Sequence, residues 1–113
     1  MNTNYLITGA MGFLGRELRS VLSAQSDIDT LGRSDQNRIV CDLSSESPLL
    51  VSGYDVVIHN AGKAHFVPKT AEDAEDFFRV NYHGTLNLLR SIEESPSLPK
   101  AFVFISTVAV YGV

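Results

Sequence analysis

The sequence predicts an α/β fold: a doubly wound parallel sheet of five strands in the order 3-2-1-4-5, held in one domain of 113 residues. Three observations predict it. The apolar run Tyr5-Leu6-Ile7 passes through a glycine-rich turn, Thr8-Gly9-Ala10-Met11-Gly12-Phe13-Leu14-Gly15, into a segment of helical spacing. Four further apolar runs follow, and strand and helix signals alternate, which implies right-handed crossovers and parallel pairing. Two of those runs, Tyr54 to His59 and Ala101 to Ser106, are apolar nearly throughout, as strands covered on both faces are.

The first strand covers about Asn4 to Thr8, and Leu14, Leu18, Val21 and Leu22 then mark a helix from about Phe13 to Ala24. Ile28 to Leu31 is a short second strand ending at Gly32, and Ile39-Val40-Cys41 a third, closed by Asp42. Ser44 to Leu50 can hold one helical turn, with serine as cap and Pro48 early in it. After the fourth strand, a loop from Ala61 to Lys69 leads to the longest helical pattern, Ala71 to about Glu94. Its buried stripe reads Phe77, Val80, Gly84 and Leu88, extended by Leu89 and Ile92, and Pro96 and Pro99 stop it. The fifth strand follows.

A formal charge of −4 without any Lys/Arg run argues against a nucleic-acid partner. Cys41 is the single cysteine, so no intrachain disulfide forms and a reducing compartment is the default. Met1 to Asn4 lacks a basic region, and Tyr5-Leu6-Ile7 is too short for a signal or membrane segment. The consistent reading is a soluble cytoplasmic protein with no membrane partner.

In an open sheet of this order a ligand lies across the carboxyl ends of the strands, where the order reverses between strands 1 and 4. Residues just after the strands should therefore line one crevice: Gly9 to Gly15, Arg33, Asp42, Asn60 to Lys63, and Ser106 to Thr107. The glycines Gly9, Gly12 and Gly15 permit a sharp bend, close approach of a ligand and close helix–strand packing, with pyrophosphate over the helix N-terminus. Their spacing is G-x-x-G-x-x-G rather than G-x-G-x-x-G, and Arg16 after Gly15 excludes a P-loop. The alternative is a glycine turn that holds no ligand.

Arg33 stands at the corner where an acid would take the ribose hydroxyls of NAD. An arginine there can bind a 2′-phosphate, which favours NADP(H) over NAD(H); the alternative is a solvated surface arginine. Asp42 can accept from the adenine amino group with Leu43 against the ring, or it can cap the serine-rich turn. His59 reads as a buried histidine making local hydrogen bonds, and Asn60 as the residue that holds the departing loop. Asn81 falls on the buried side of the long helix, where an amide needs partners. Ser106 and Thr107 end the fifth strand; a hydroxyl there can donate to a substrate oxygen or merely terminate the strand. His59, His65 and His83 share no ligand spacing with Cys41 or a carboxylate cluster, so no metal site is expected.

Together these segments resemble the extended short-chain dehydrogenase/reductase family, and within it the NAD(P)-dependent nucleoside-sugar epimerases, dehydratases and reductases. The matching stretches are Thr8 to Gly15, Asp42-Leu43, His59-Asn60-Ala61-Gly62, Asn81-Tyr82-His83-Gly84-Thr85-Leu86-Asn87-Leu88-Leu89, and Phe104-Ile105-Ser106-Thr107-Val108-Ala109-Val110-Tyr111-Gly112. They occur in family order over nearly the whole chain, and G-x-x-G-x-x-G is the form this branch uses. The resemblance implies a Rossmann-like sheet, with Gly9, Gly12 and Gly15 at the pyrophosphate turn and Phe13-Leu14 at its helix start. It also implies Asp42 and Leu43 at adenine, Ala61, Gly62 and Lys63 beside the nicotinamide ribose, and Asn81 behind the active site. Thr107 matches the catalytic Ser/Thr that hydrogen-bonds the reacting sugar oxygen. The implied partners are the dinucleotide and a nucleoside-diphosphate sugar, and a homodimer is compatible with it.

One departure matters: no Tyr-x-x-x-Lys is present, since Tyr5, Tyr54 and Tyr82 have Gly9, Ile58 and Leu86 four places on and Tyr111 has no residue there. The expectation is an N-terminal fragment, truncated after strand 5 and inactive alone, with the tyrosine, lysine and substrate-binding part beyond Val113. Rival readings are a family reductase of non-sugar ketones and a non-catalytic dinucleotide sensor or interaction module.

Overall fold

The computed structural model describes residues 2–60 and 69–105. The strands are β1 (Thr3–Thr8), β2 (Ser26–Gly32), β3 (Ile39–Val40), β4 (Val56–His59) and β5 (Ala101–Phe104). They form one sheet in the order β3-β2-β1-β4-β5, with every pair parallel. The expected architecture and strand order are both present.

Alternation along each strand divides the core between the two faces of the sheet. Leu6, Leu31 and Val57 point to one face, where they pack with Cys41, Leu43, Leu50, Tyr54, Leu88 and Ile92. Ile7 and Ile58 point to the other, against Ala10, Met11, Leu18 and Leu22. Helix α1 (Phe13–Leu22) covers this second face and gives way to a 3-10 turn, Ser23–Gln25, so the helix is two residues shorter than its sequence pattern suggests. Val21, read as part of its apolar stripe, is exposed. It stands about 100° around the helix from Leu22, off the line that joins Leu18 to Leu22.

The long helical pattern is not one uninterrupted α-helix. Helix α2 (Ala71–Phe78) passes through a π-helical segment, Arg79–His83, into α3 (Gly84–Glu93). The Gly84 N–H reaches back to the Arg79 carbonyl, the five-residue step that defines a π turn. Thr70 caps α2, its hydroxyl accepting from the Asp73 N–H at 3.0 Å. Of the stripe, Gly84, Leu88 and Ile92 are buried, whereas Leu89 is exposed.

The helical turn assigned to Ser44 to Leu50 sits earlier in the chain. The Asp42 carbonyl accepts from the N–H groups of Ser45 and Glu46, each at 3.1 Å, and the Asp42 side chain is the cap. Pro48 comes after this turn rather than inside it. The reason is chemical: a carboxylate at the end of β3 competes better for the free N–H groups than a serine two places on.

Candidate functional site

A crevice of about 530 Å³ opens at the carboxyl ends of β1, β2, β3 and β4. Its walls include Gly9, Ala10, Met11 and Gly12 after β1, Arg33 and Ser34 after β2, Cys41, Asp42 and Leu43 after β3, and Asn60 after β4. Part of the grouping expected from the topology, Gly9, Gly12, Arg33, Asp42 and Asn60, meets here, at the point where the strand order reverses.

The glycine turn divides three tasks among three residues. Gly9 has a φ of +67°, a left-handed conformation that a side chain disfavours. A Cβ on Gly12 would meet only the Gly9 carbonyl oxygen, at 3.6 Å, so the space over the turn stays open. Gly15 lies under the turn, where a Cβ would run into the Gly9 oxygen and sit 2.6 Å from Ala10 Cα. Gly15 is therefore a packing residue and does not face the crevice. Phe13 and Leu14 start α1 with exposed side chains, and they too are absent from the crevice wall. What their positions supply is backbone: the first turn of α1 has no side-chain cap and no acidic residue, leaving N–H donors at its positive end.

Asp42 caps the serine-rich turn and also lines the crevice. Its Oδ1 accepts from the Ser44 hydroxyl at 2.6 Å and the Ser44 N–H at 3.0 Å while the residue lines the crevice. The Ser44 hydroxyl first, then its N–H and the charges of Arg33 and Arg79, hold the carboxyl below its usual range, against the opposing effect of burial. Leu43 is fixed from behind, since the Asn87 amide donates to its carbonyl at 2.7 Å.

His59 is buried among polar contacts, as its place in an apolar run suggests. Its Nδ1 lies 2.7 Å from Thr8 Oγ1 and its Nε2 3.0 Å from Thr85 Oγ1. Burial pushes its pKa down to about 4, so the ring is neutral at pH 7. Asn60 holds the chain as it leaves β4: its N–H donates to Thr8 Oγ1 at 2.9 Å and its amide to the Gly9 carbonyl at 3.4 Å. Asn81 is half-buried within the π segment, outside the crevice wall. Ala61, Gly62, Lys63, Ser106 and Thr107 lie outside the described residues.

The model of the NAD dependent epimerase/dehydratase family matches residues 5–113. This chain belongs to that family. Among members of known activity, GDP-6-deoxy-D-mannose reductase of Pseudomonas aeruginosa is 30% identical over 99% of the chain, and UDP-glucose 4-epimerase of Vibrio cholerae is 32% identical over 99%. The matched part is 36% of the first relative and 37% of the second, so the chain spans little more than a third of their length. The human epimerase family protein SDR39U1 (isoform 2), solved with NADPH, superposes with a TM-score of 0.72 at 20% identity, over 94% of this chain and 37% of that one. That likeness places the same fold in both.

Family members share this topology, yet several walls of the crevice escape a motif reading. Arg79 and Asp76 form an ion pair one turn apart on the helix edge, and both line the crevice with Val80 and Gly84. The spacing of Val80 and Gly84 marks an inward helix face, but spacing alone does not say that the face borders a cavity. Asn37 is the other addition: it is buried, its amide donates to the Ser34 carbonyl at 3.0 Å, and its Oδ1 has no hydrogen-bond partner among the described residues.

Cys41 also lines the crevice. Burial first, then the hydrogen bond and charge of Glu46 and the charge of Asp42, push its thiol up to about 12. Alkylation of the native protein by iodoacetamide at pH 8 is expected to run at least about 100-fold slower than that of free cysteine. A rate near that of the free thiol would show that the β3 end opens readily.

Proposed function

We propose that residues 1–113 form the dinucleotide-binding part of an NAD(P)-dependent enzyme that acts on a nucleoside-diphosphate sugar as an epimerase, dehydratase or reductase. The observation that carries this reading is the crevice itself: an open glycine turn and an uncapped helix N-terminus meet Arg33, Asp42 and Leu43 at the reversal of strand order. The residues present fit a dinucleotide. The α1 N-terminus and Gly12 suit a pyrophosphate, Leu43 and Val80 offer apolar surface for a base, and the unpartnered Asn37 Oδ1 suits a hydroxyl or amine donor. When bound, the nicotinamide supplies hydride exchange with a sugar carbon. This chain binds and orients it, Thr107 is assigned the hydrogen bond to the reacting sugar oxygen, and proton exchange falls to residues outside residues 1–113.

Arg33 favours NADP(H). The family is described as NAD dependent, while the human relative was solved with NADPH, so both forms occur around this sequence. A cytoplasmic setting suits the free, buried Cys41, and no helix among the described residues is long and apolar enough to cross a membrane. Fluorescence titration of the intact protein should show NADPH binding more tightly than NADH. Arg33→Ala should shrink that preference about tenfold, the worth of one charge-assisted contact to phosphate. An unchanged preference would make Arg33 a surface residue, and binding of neither dinucleotide would sink the function.

A further inference from the structure

A line of hydrogen bonds through the crevice residues Asn60 and His59 runs from one wall to the other, and its proton directions can be derived. The Thr85 hydroxyl lies 2.7 Å from the Asn81 carbonyl oxygen, which can only accept, so the single Thr85 proton is committed there. Thr85 Oγ1 must then accept from His59 Nε2, which places the imidazole proton on Nε2. A neutral ring with Nε2–H has an acceptor at Nδ1, so the Thr8 hydroxyl donates to it. Thr8 Oγ1 in turn accepts the Asn60 N–H. The sequence is continuous: Asn60 N–H to Thr8, Thr8 to His59, His59 to Thr85, Thr85 to the Asn81 carbonyl.

The two ends of this line are the two sides of the site. At one end, Asn60 and the Gly9 carbonyl it also holds border the crevice. At the other, the Asn81 carbonyl lies in the π segment whose neighbours Arg79, Val80 and Gly84 form the opposite wall. His59 is the only link in the line whose side chain faces both, one ring nitrogen toward β1 and the other toward α3. Alternation places Thr8 and His59 on the same face of adjacent strands, which is what lets one ring span from sheet to helix.

We propose that His59 is a positioning residue which, as its Nε2–H tautomer, fixes the glycine turn and the β4 end against the π segment and so sets the shape of the dinucleotide crevice. The effect on cofactor rests on the function proposed above; the tautomer and the link to the π segment do not. Long-range ¹⁵N–¹H spectra of the intact protein at pH 7 should show His59 protonated on Nε2 and unprotonated on Nδ1. The opposite tautomer would overturn the inference.

His59→Phe keeps the ring volume and removes both bonds. It should raise the NADPH dissociation constant about tenfold and speed amide exchange at Gly84 by about as much, the loss expected when buried partners are left unpaired. His59→Gln, whose amide carries a donor and an acceptor at a spacing close to that of the ring nitrogens, should recover most of both, which a purely space-filling role would not allow. A folded His59→Phe protein with native exchange at Gly84 and native affinity overturns the proposal. Should His59→Phe not fold, Thr85→Val supplies the same test, because it must shift the His59 Nε2–H resonance and speed exchange at Gly84; no change in either overturns it. If the wild-type protein binds neither NADPH nor NADH, the proposed function fails, and the tautomer and exchange measurements still judge His59.

Discussion

Replacing Gly15 by alanine is expected to destabilise the fold by on the order of 3 kcal/mol, the upper range for overpacking a well-packed interior. The added methyl would fall on main chain: the Gly9 carbonyl oxygen, Ala10 Cα at 2.6 Å and the Ala10 carbonyl carbon at 2.8 Å. A flexible side chain can swing away from such a clash, but backbone yields only if the whole N-terminus of α1 lifts from β1. That lift would separate Leu18 and Leu22 from Ile7 and Ile58, so the loss extends into the core on that face of the sheet. Gly12→Ala is the matched control. Its Cβ would meet one atom at ordinary contact distance and its φ of −79° suits any residue, so stability should change by less than about 1 kcal/mol. Urea unfolding of the two variants in the intact protein separates the cases. A Gly15→Ala protein within about 1 kcal/mol of wild type would mean that α1 and β1 are not tightly docked.

That contrast also shows which features could be read from the chain. The strand order was legible because each strand has period-two apolar alternation or a continuous apolar run, and the handedness of crossovers then leaves few topologies. The convergence of Gly9, Gly12, Arg33, Asp42 and Asn60 follows from that topology alone, since each stands just past a strand. That Asp42 caps the turn while still lining the crevice was not legible, because it depends on Ser44 folding back onto its carboxylate. The π segment was not legible. Its sequence, Arg79-Val80-Asn81-Tyr82-His83, is acceptable in an α-helix, and no local residue preference marks the wider turn. Arg79 was missed for a related reason, as its approach to the crevice depends on how α2 crosses the strand ends. The motif assigns close helix–strand packing to its third glycine, and the distances at Gly15 agree; the same motif also groups Gly15 with the crevice residues, whose wall it does not join.

Acid is expected to weaken the fold well before its carboxylates titrate, and His59 is the cause. In the unfolded chain its pKa is close to 6.5, whereas burial lowers it to about 4 in the folded protein. Above pH 6.5 both states carry the neutral ring and stability is at its full value. As pH falls from 6.5 toward 4 the unfolded chain takes up a proton that the folded protein refuses, so stability declines with a slope approaching one proton. Below pH 4 both states are protonated and this contribution levels off. The difference in pKa corresponds to on the order of 3 kcal/mol, at about 1.4 kcal/mol for each pH unit. Asp42 acts in another window: its carboxyl is lowered from 3.8, so its contribution is present above that value and is lost only as pH falls below it. Unfolding free energies measured from pH 7 to 4.5 therefore report His59, and His59→Gln should flatten the decline. Parallel curves for the two proteins would show that the ring is not held neutral by burial. The geometry gives the refusal a structural basis: a second proton would arrive at Nδ1, facing the Thr8 hydroxyl whose own proton already points there and whose oxygen is accepting from Asn60. Charging His59 would thus turn Thr8 and loosen the chain where β4 meets the glycine turn, so the dinucleotide affinity of the folded protein should hold from pH 6.5 down and weaken only as pH approaches about 4.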